Sequence, residues 1–287
     1  GGCSAMKISI VTPTWNRATT LQRTIESVES QTLRPFRHVI VDNLSEDSTS
    51  RLLNQYQARA PFEVVHLRER DRGIYDAMNN GVKAAGGDAL YFLNDDDRLL
   101  ASDSLQCLAR ALSLAPSGIA FGDVVVVDPV RGTSKIRNHR QVNRLTLAEK
   151  SICQQATLYS RQAMELVGTF DAGLRAAGDY DWMIRALVGH GLPAVYLRRA
   201  VAVFTTGGIS SDPAQAGEFR AEMNLVADRY FPPEVRARAL RYRRFWRKIP
   251  WGLRFCPGSE TADRLNVAST LAWGKKMLPD PMALLNF

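Results

Sequence analysis

The period of the apolar positions changes repeatedly along the first hundred residues. "KISIVTPTW" (7–15) alternates, is rich in β-branched residues and stops at a proline, which predicts a strand running into a loop. In "ATTLQRTIESVESQT" (18–32), Leu21, Ile25 and Val28 fall at helical spacing. "FRHVIVDNLSEDST" (36–49) predicts a second strand and a polar loop, "STSRLLNQYQARA" (48–60) a second helix, and "FEVVHLRE" (62–69) a third strand. "IYDAMNNGVKAAGG" (74–87) predicts a third helix, ended by Gly86-Gly87, and "DALYFLN" (88–94) a fourth strand. Strands alternating with helices imply a mostly parallel sheet covered on both faces, with its ligand site beyond the carboxyl ends of the strands. Those ends are all polar: Thr12-Pro13-Thr14, Asp42-Asn43, Arg68-Glu69-Arg70-Asp71 and Asn94-Asp95-Asp96-Asp97.

After Leu100 the alternation fades. "SLQCLARALSLA" (104–115) reads as a helix, and "GIAFGDVVVVDP" (118–129) as a strand with Gly122-Asp123 inside it. Residues 145–168 mix short segments, and "GDYDWMIRALVGHG" (178–191) reads as a helix with Asp179 near its start. No internal repeat, low-complexity tract or long flexible linker stands out.

Composition adds little to this until charge is considered. The 287 residues are 45% hydrophobic and 23% charged, ordinary for a globular protein. No apolar run is long enough for a membrane helix. The opening "GGCSAMKISIV" lacks the basic and apolar regions of a signal peptide, and residues 1–6 read as an expression scar. Cys3, Cys107, Cys153 and Cys256 are widely spaced, as in reduced cytosolic thiols rather than a disulfide framework or zinc site. The net charge of +8 predicts an anionic partner. Much of that charge lies in "VRARALRYRRFWRKIPWGLR" (235–254), so the tail has a job of its own.

The triplet Asp95-Asp96-Asp97 poses the sharpest question. Three like charges at the end of a buried strand resist ionising beside one another, so a metal ion, basic side chains or water must compensate them. A solvated acidic turn is the bland alternative.

Several segments, in this order, resemble the family 2 glycosyltransferases, inverting enzymes with a GT-A fold, in the bacterial branch that assembles polysaccharide and lipopolysaccharide. They are "ISIVTPTWNRATTLQRTIESVESQT", "VIVDNLSEDST", "DRGIYDAMNNGVKAAGGDALYFLNDDDRL", "CQQATLYSRQAMELVGTFD" and "AAGDYDWMIRAL". The most specific is the third, which leads into the acidic triplet. Two departures stand out: Asn43-Leu44 replaces the glycine-bearing pair usual after Asp42, and Gly178 replaces the Glu often found before Asp179.

The resemblance implies an α/β GT-A (Rossmann-like) domain over 7–210, with a mostly parallel sheet flanked by helices, and a helical basic extension over 211–287. It implies transfer of a sugar from a nucleotide-sugar donor, a UDP-sugar first and a GDP- or dTDP-sugar as alternatives, to a hydroxyl of a glycan or lipid-linked acceptor. Asp95, Asp96 and Asp97 suit a hard divalent cation, Mg²⁺ or Mn²⁺, on the leaving diphosphate. Within the triplet, Asp97 and Asp96 are expected to touch the metal or ribose, with Asp95 oriented by its neighbours. Thr12, Pro13, Thr14, Asn16, Arg17 and Asp42 are expected around the nucleoside, although Pro, Asn and Asp also serve as ordinary turn residues. Asp71, Arg72, Asp76 and Asn94 complete the expected donor site. Asp179 is the expected general base, against the alternative that it merely caps a helix. Asp181 competes for that role, and Asp123, Gln155 and Asp181 are expected on the acceptor side.

His38 and His66 fit a core or rim, His190 a helix end, and His139 a basic loop that could meet acceptor or phosphate. The tail reads either as a basic amphipathic helix on the anionic inner face of a membrane or as a helix docked on the catalytic domain. Cytoplasmic location, peripheral to that membrane, follows from the first reading. A sugar-phosphate nucleotidyltransferase is the runner-up, but "TPTWNRATT" lacks its glycine-rich first loop. A nucleic-acid-binding module rests on charge alone, and no nucleic acid is expected.

Overall fold

Strand β1 (Ile8–Thr14) is buried at every position, as a parallel strand covered on both faces must be. The computed structural model describes residues 5–140, 142–207 and 216–248. Helix α1 (Ala18–Glu29) turns Leu21, Thr24, Ile25 and Val28 inward, one apolar face at helical spacing. Then come β2 (Arg37–Asp42), α2 (Thr49–Arg59), β3 (Glu63–Arg68), α3 (Ile74–Ala84) and β4 (Ala89–Phe92). These strands lie side by side as β3-β2-β1-β4, all parallel, so their polar carboxyl ends share one edge of the sheet. Gly81 lets α3 sit on that sheet, because a Cβ there would come within 2.3 Å of Val11 Cγ1.

Beyond β4 the sheet becomes mixed. The remaining elements are β5 (Arg98–Leu99), α4 (Ser104–Leu112), β6 (Ile119–Asp128), β7 (Thr133–Arg137), α5 (Arg144–Leu147), a 3₁₀ turn (Gln154–Ala156), β8 (Thr157–Ser160), α6 (Arg161–Val167), α7 (Gly178–Ile184), which runs into a π turn (Arg185–Gly189), and β9 (Ala194–Thr205). β8 pairs antiparallel with β4 and with β6, β9 runs parallel to β6, and the two-residue β5 closes on β9. β5 begins directly after Asp97, so this pairing pins the acidic triplet against the end of β9.

Two helices follow, α8 (Ala216–Tyr230) and α9 (Pro233–Lys248). Met223, Val226, Ala227, Phe231 and Ala239 join the same core as Phe170, Tyr180 and Trp182. The extension expected from 211 onward is thus helical where described and packs on the preceding fold. Along α9, Ala239 is buried and Val235 and Tyr242 are half-buried, whereas the Trp246 side chain, Ile249 and Arg254 lie outside the described residues. Among the described residues no helix is long and apolar enough to cross a membrane. Cys107 and Cys153 are free and buried; Cys3 and Cys256 lie outside the described residues.

Candidate active site

A cleft of about 420 Å³ opens at the carboxyl edge of the parallel strands. The end of β1 contributes Pro13 and Thr14, the loop after it Trp15 and Arg17, and the loop after β4 Asn94, Asp95 and Asp96. Asn43 and Asp71 come from the loops after β2 and β3. Gln155, Asp179 and Tyr75 line the same cleft, together with Arg137 of β7.

Neighbours share out the triplet's charge. Thr14 Oγ1 donates to Asp95 Oδ2 at 2.7 Å, and Arg17 pairs with Asp96 Oδ2 at 3.0 Å. Burial nevertheless raises the pKa of Asp95 to about 6 and raises that of Asp96, with Arg17 offsetting part of the effect. Asp97 is raised furthest, by burial and then by the neighbouring Asp96 charge. One guanidinium therefore does not neutralise three carboxylates. Asp97 Oδ2 and Asn94 Oδ1 are also buried without a partner in hydrogen-bond geometry, although the Gln155 side chain offsets part of the Asp97 shift. This excess of hard oxygen donors fits Mg²⁺ or Mn²⁺, with phosphate oxygens and water as the remaining ligands. Among the described residues no group of three or more His, Cys, Asp or Glu could hold a metal unaided.

Several expected residues turn away from the cleft. Asp97 is fully buried, and its Oδ1 accepts from Thr205 N–H at 3.0 Å, so Asp95 and Asp96 are the carboxylates that face the opening. Thr12 is buried against His38 Nε2 at 3.0 Å. Asn16 takes a left-handed backbone (φ 52°), and its Oδ1 accepts from Glu46 N–H, which ties the first loop to the second. Asp42 has no exposed surface. It accepts from Ser45 N–H at 2.9 Å, lies 3.2 Å from His66 Nε2 and pairs with Arg68, leaving Asn43 to face the cleft. Burial pushes its pKa up, but the His66 and Ser45 hydrogen bonds outweigh that and hold it below the usual value. Arg72 and Asp76 pair with each other at 3.2 Å outside the lining.

The acceptor-side expectations divide in the same way. Gln155 lines the cleft, its Oε1 accepting from Cys153 Sγ at 3.0 Å and its carbonyl from Tyr91 Oη. Asp123 is buried inside β6 under Tyr196 Oη and His139 N–H. Asp181 is 2% exposed, salt-bridged to Arg185 at 2.8 Å on the far side of its helix turn. Asp179 alone of the two faces the cleft. It is not the N-cap, which is Ala177, but the second residue of α7. Tyr75 Oη donates to its Oδ1 at 3.1 Å. Burial raises the pKa of Asp179, countered by the Tyr180 backbone and the Tyr75 hydroxyl.

His139, expected in a loop meeting acceptor or phosphate, is buried. Its Nδ1 lies 2.9 Å from Gly122 O and its Nε2 3.1 Å from Cys153 N, which makes Nδ1 the donor and Nε2 the acceptor of a neutral ring. Burial lowers its pKa to about 4. His38 is a core residue, His66 sits at the rim against Asp42, and His190 ends the π turn.

A model of glycosyl transferase family 2 matches residues 9–168. The chain belongs to this family. It is 33% identical over 211 residues to a PGL/p-HBAD biosynthesis glycosyltransferase of Mycobacterium bovis, across 72% of this chain and 80% of that one. Glycosyltransferase AglE of Haloferax volcanii is 28% identical over 188 residues, 62% of this chain and 60% of that one. Among solved structures, a mannosyltransferase from Pyrobaculum calidifontis in complex with GDP-Man and Mn²⁺ superposes with a TM-score of 0.62 at 18% identity, covering 83% of this chain and 69% of that one. S. aureus TarS 1-349 with UDP-GlcNAc gives a TM-score of 0.59 at 20% identity, covering 77% of this chain and 65% of that one. The fold is the GT-A fold of these neighbours, with a curled central sheet between helices.

In this family 2 glycosyltransferase several cleft residues escape the sequence reading. Trp15 is 62% exposed at the mouth, beside the residues read for the nucleoside. Arg137 stands in the basic stretch noticed only for His139. Tyr75 stands inside the most specific of the quoted segments but is given no role there, and Arg175 and Phe219 belong to none of those segments; Phe219 lines the cleft from α8.

Proposed function

We propose that this chain is a metal-dependent, inverting glycosyltransferase that moves a sugar from a nucleotide-sugar, UDP-sugars first, to a hydroxyl of a glycan or lipid-linked acceptor. One observation carries the reading: the carboxylates Asp95 and Asp96 and the carboxylate Asp179 line a single cleft. Asp96 and Asp95 would hold the divalent cation. A bound cation supplies positive charge against the diphosphate as it leaves. Thr14 and Arg17 orient these two carboxylates. Asp179 takes the proton of the acceptor hydroxyl as its oxygen bonds to the anomeric carbon. The bond from that carbon to the diphosphate oxygen breaks on the opposite face, and its electron pair leaves with the diphosphate. No covalent nucleophile is required. Support for a sugar-nucleotide donor comes from the GDP-Man and UDP-GlcNAc held by the solved neighbours.

The finer reading is a cytoplasmic enzyme of cell-surface glycan assembly, peripheral at the inner membrane face through its Arg-rich tail. A mycobacterial relative named for PGL/p-HBAD biosynthesis supports a biosynthetic setting.

The test is a panel of UDP-, GDP- and dTDP-sugars measured by thermal shift in Mn²⁺ and in EDTA, followed by turnover. A true donor raises Tm by binding the native state only. The rise should need Mn²⁺, and an equal rise in EDTA would reject metal dependence. Asp179→Asn should lower kcat by about 10² to 10⁴, with the donor-induced shift and Tm little changed. Retained turnover would remove Asp179 as the base.

A further inference from the structure

We propose that Tyr75 is the positioning residue for Asp179: its hydroxyl holds one carboxylate oxygen, and Gly178 leaves the gap that admits its ring. The inference rests on the reading of Asp179 as general base.

The two side chains come from opposite parts of the chain. Tyr75 stands in the first turn of α3, after Gly73, and Asp179 in the first turn of α7. The Tyr75 ring is 5% exposed and packs on Phe170 at 5.8 Å between centroids. Its face also lies against the backbone of Gly178, where a Cβ would come within 2.7 Å of Tyr75 Cδ2 and 2.8 Å of its Cγ. A ring offers no flexible end to move aside, so any side chain at 178 displaces it. With the gap open, Tyr75 Oη reaches Asp179 Oδ1 at 3.1 Å.

The chemistry runs in one direction. Burial and the Asp179 charge push the Tyr75 phenol well above its ordinary pKa, so it stays protonated and donates. Donation to the carboxylate favours the ionised form, the form a base must have, and opposes the burial that raises Asp179. It also fixes the carboxylate in one orientation. The other titratable or charged groups facing Asp179 are Arg137 on β7, Cys153 before the 3₁₀ turn and Tyr159 on β8. Of these, Arg137 alone adds support for the charge.

A purely structural tyrosine would matter through its ring. Tyr75→Phe keeps the ring and removes the hydroxyl. The direct experiment is a pH titration of the full chain, free of ligand, labelled at aspartate Cγ with ¹³C and followed by NMR. The Asp179 signal is the one missing from Asp179→Asn. We expect its midpoint to rise by about one pH unit in Tyr75→Phe, the usual scale for one hydrogen bond to a charged group. Gly178→Ala should raise it too, by driving the ring off the carboxylate. A midpoint unmoved in Tyr75→Phe overturns the proposal, as does one unmoved in Gly178→Ala. The titration requires no turnover, so it judges Tyr75 separately from the base assignment, which falls only if Asp179→Asn keeps its activity.

Discussion

Asp95 shows how much a single residue's surroundings decide. Its raised pKa, about 6, comes from burial first, with the Asp96 charge adding to it against Thr14 and Arg17. The group's contribution to the stability of the metal-free fold is therefore fully present below the ordinary carboxylate range. It is lost as pH rises through about 6, because the unfolded chain releases the proton first. A divalent cation needs the ionised carboxylate and competes with that proton. The rise in Tm given by Mn²⁺ with UDP should therefore be much larger at pH 7.5 than at pH 5, and Asp95→Asn should flatten the difference. Equal shifts at the two pH values would break the link. At this scale the sequence was legible as residue types in order: Asp95, Asp96 and Asp179, singled out from their segments, line one cleft, whereas Asp97 does not. It was not legible as side-chain direction. Asp42 and Asp97 at strand ends, Asp123 inside β6 and Asp181 inside α7 are the same residue type, yet each points at least one carboxylate oxygen at an internal partner rather than into the cleft. Leu44 is a further instance: the loop keeps a left-handed residue (φ 53°) there, and an L side chain carries the strain that glycine would avoid.

Among the elements, the first four strands and three helices were readable from period alone, because the βα alternation buries the inner strands β1, β2 and β4 almost throughout and each helix on one face, while the edge strand β3 stays half-covered. β9 was not. "AVYLRRAVAVFT" places Arg198 and Arg199 in mid-strand, and the chain absorbs them at a register shift against β6 near Asp123. Nor does the sequence show what holds the start of α7. No side chain of its own caps that helix. Instead Glu222 of α8 reaches across: Oε1 accepts from Arg175 N–H at 2.8 Å, and Oε2 from Ala176 and Ala177 N–H at 2.8 and 3.0 Å. A carboxylate here satisfies orphan donors and favours the positive end of the helix. Glu222→Ala should therefore cost about 2 kcal/mol, in the range for hydrogen bonds to a charged group. Urea denaturation would show a lower midpoint with an unchanged slope. Glu222→Gln should lose less, since one carbonyl oxygen still accepts. An unmoved midpoint in Glu222→Ala would mean that solvent serves those N–H groups equally well.

At the scale of the whole molecule, docking of the tail and membrane binding, posed as alternatives from sequence, do not exclude each other. α9 is docked by one side: Ala239 is buried, and Arg236 turns inward to Asp228 and Glu149. Its other side shows Arg238 and Arg241 to solvent beside Leu240, which is 40% exposed. A net charge of +8 over the chain adds a long-range attraction to any anionic surface. Deleting the tail is a poor test, because a chain cut near Phe231 also loses Ala239 from the shared core and would fail for reasons of stability. Charge reversal on the exposed side avoids this. Arg238→Glu with Arg241→Glu leaves the buried face intact, so Tm should hold. Each basic residue near an anionic bilayer contributes on the order of 1 kcal/mol, so reversing two should lower binding to phosphatidylserine vesicles at least about tenfold. Cosedimentation of the full chain and the double variant, at physiological salt, reads this directly. Phosphatidylcholine vesicles should hold neither protein, because the attraction is electrostatic and screened within about 8 Å. Equal sedimentation of both proteins with the anionic vesicles would leave α9 as a docked helix whose arginines serve solubility, and would remove this surface as the meeting point with any lipid-linked acceptor.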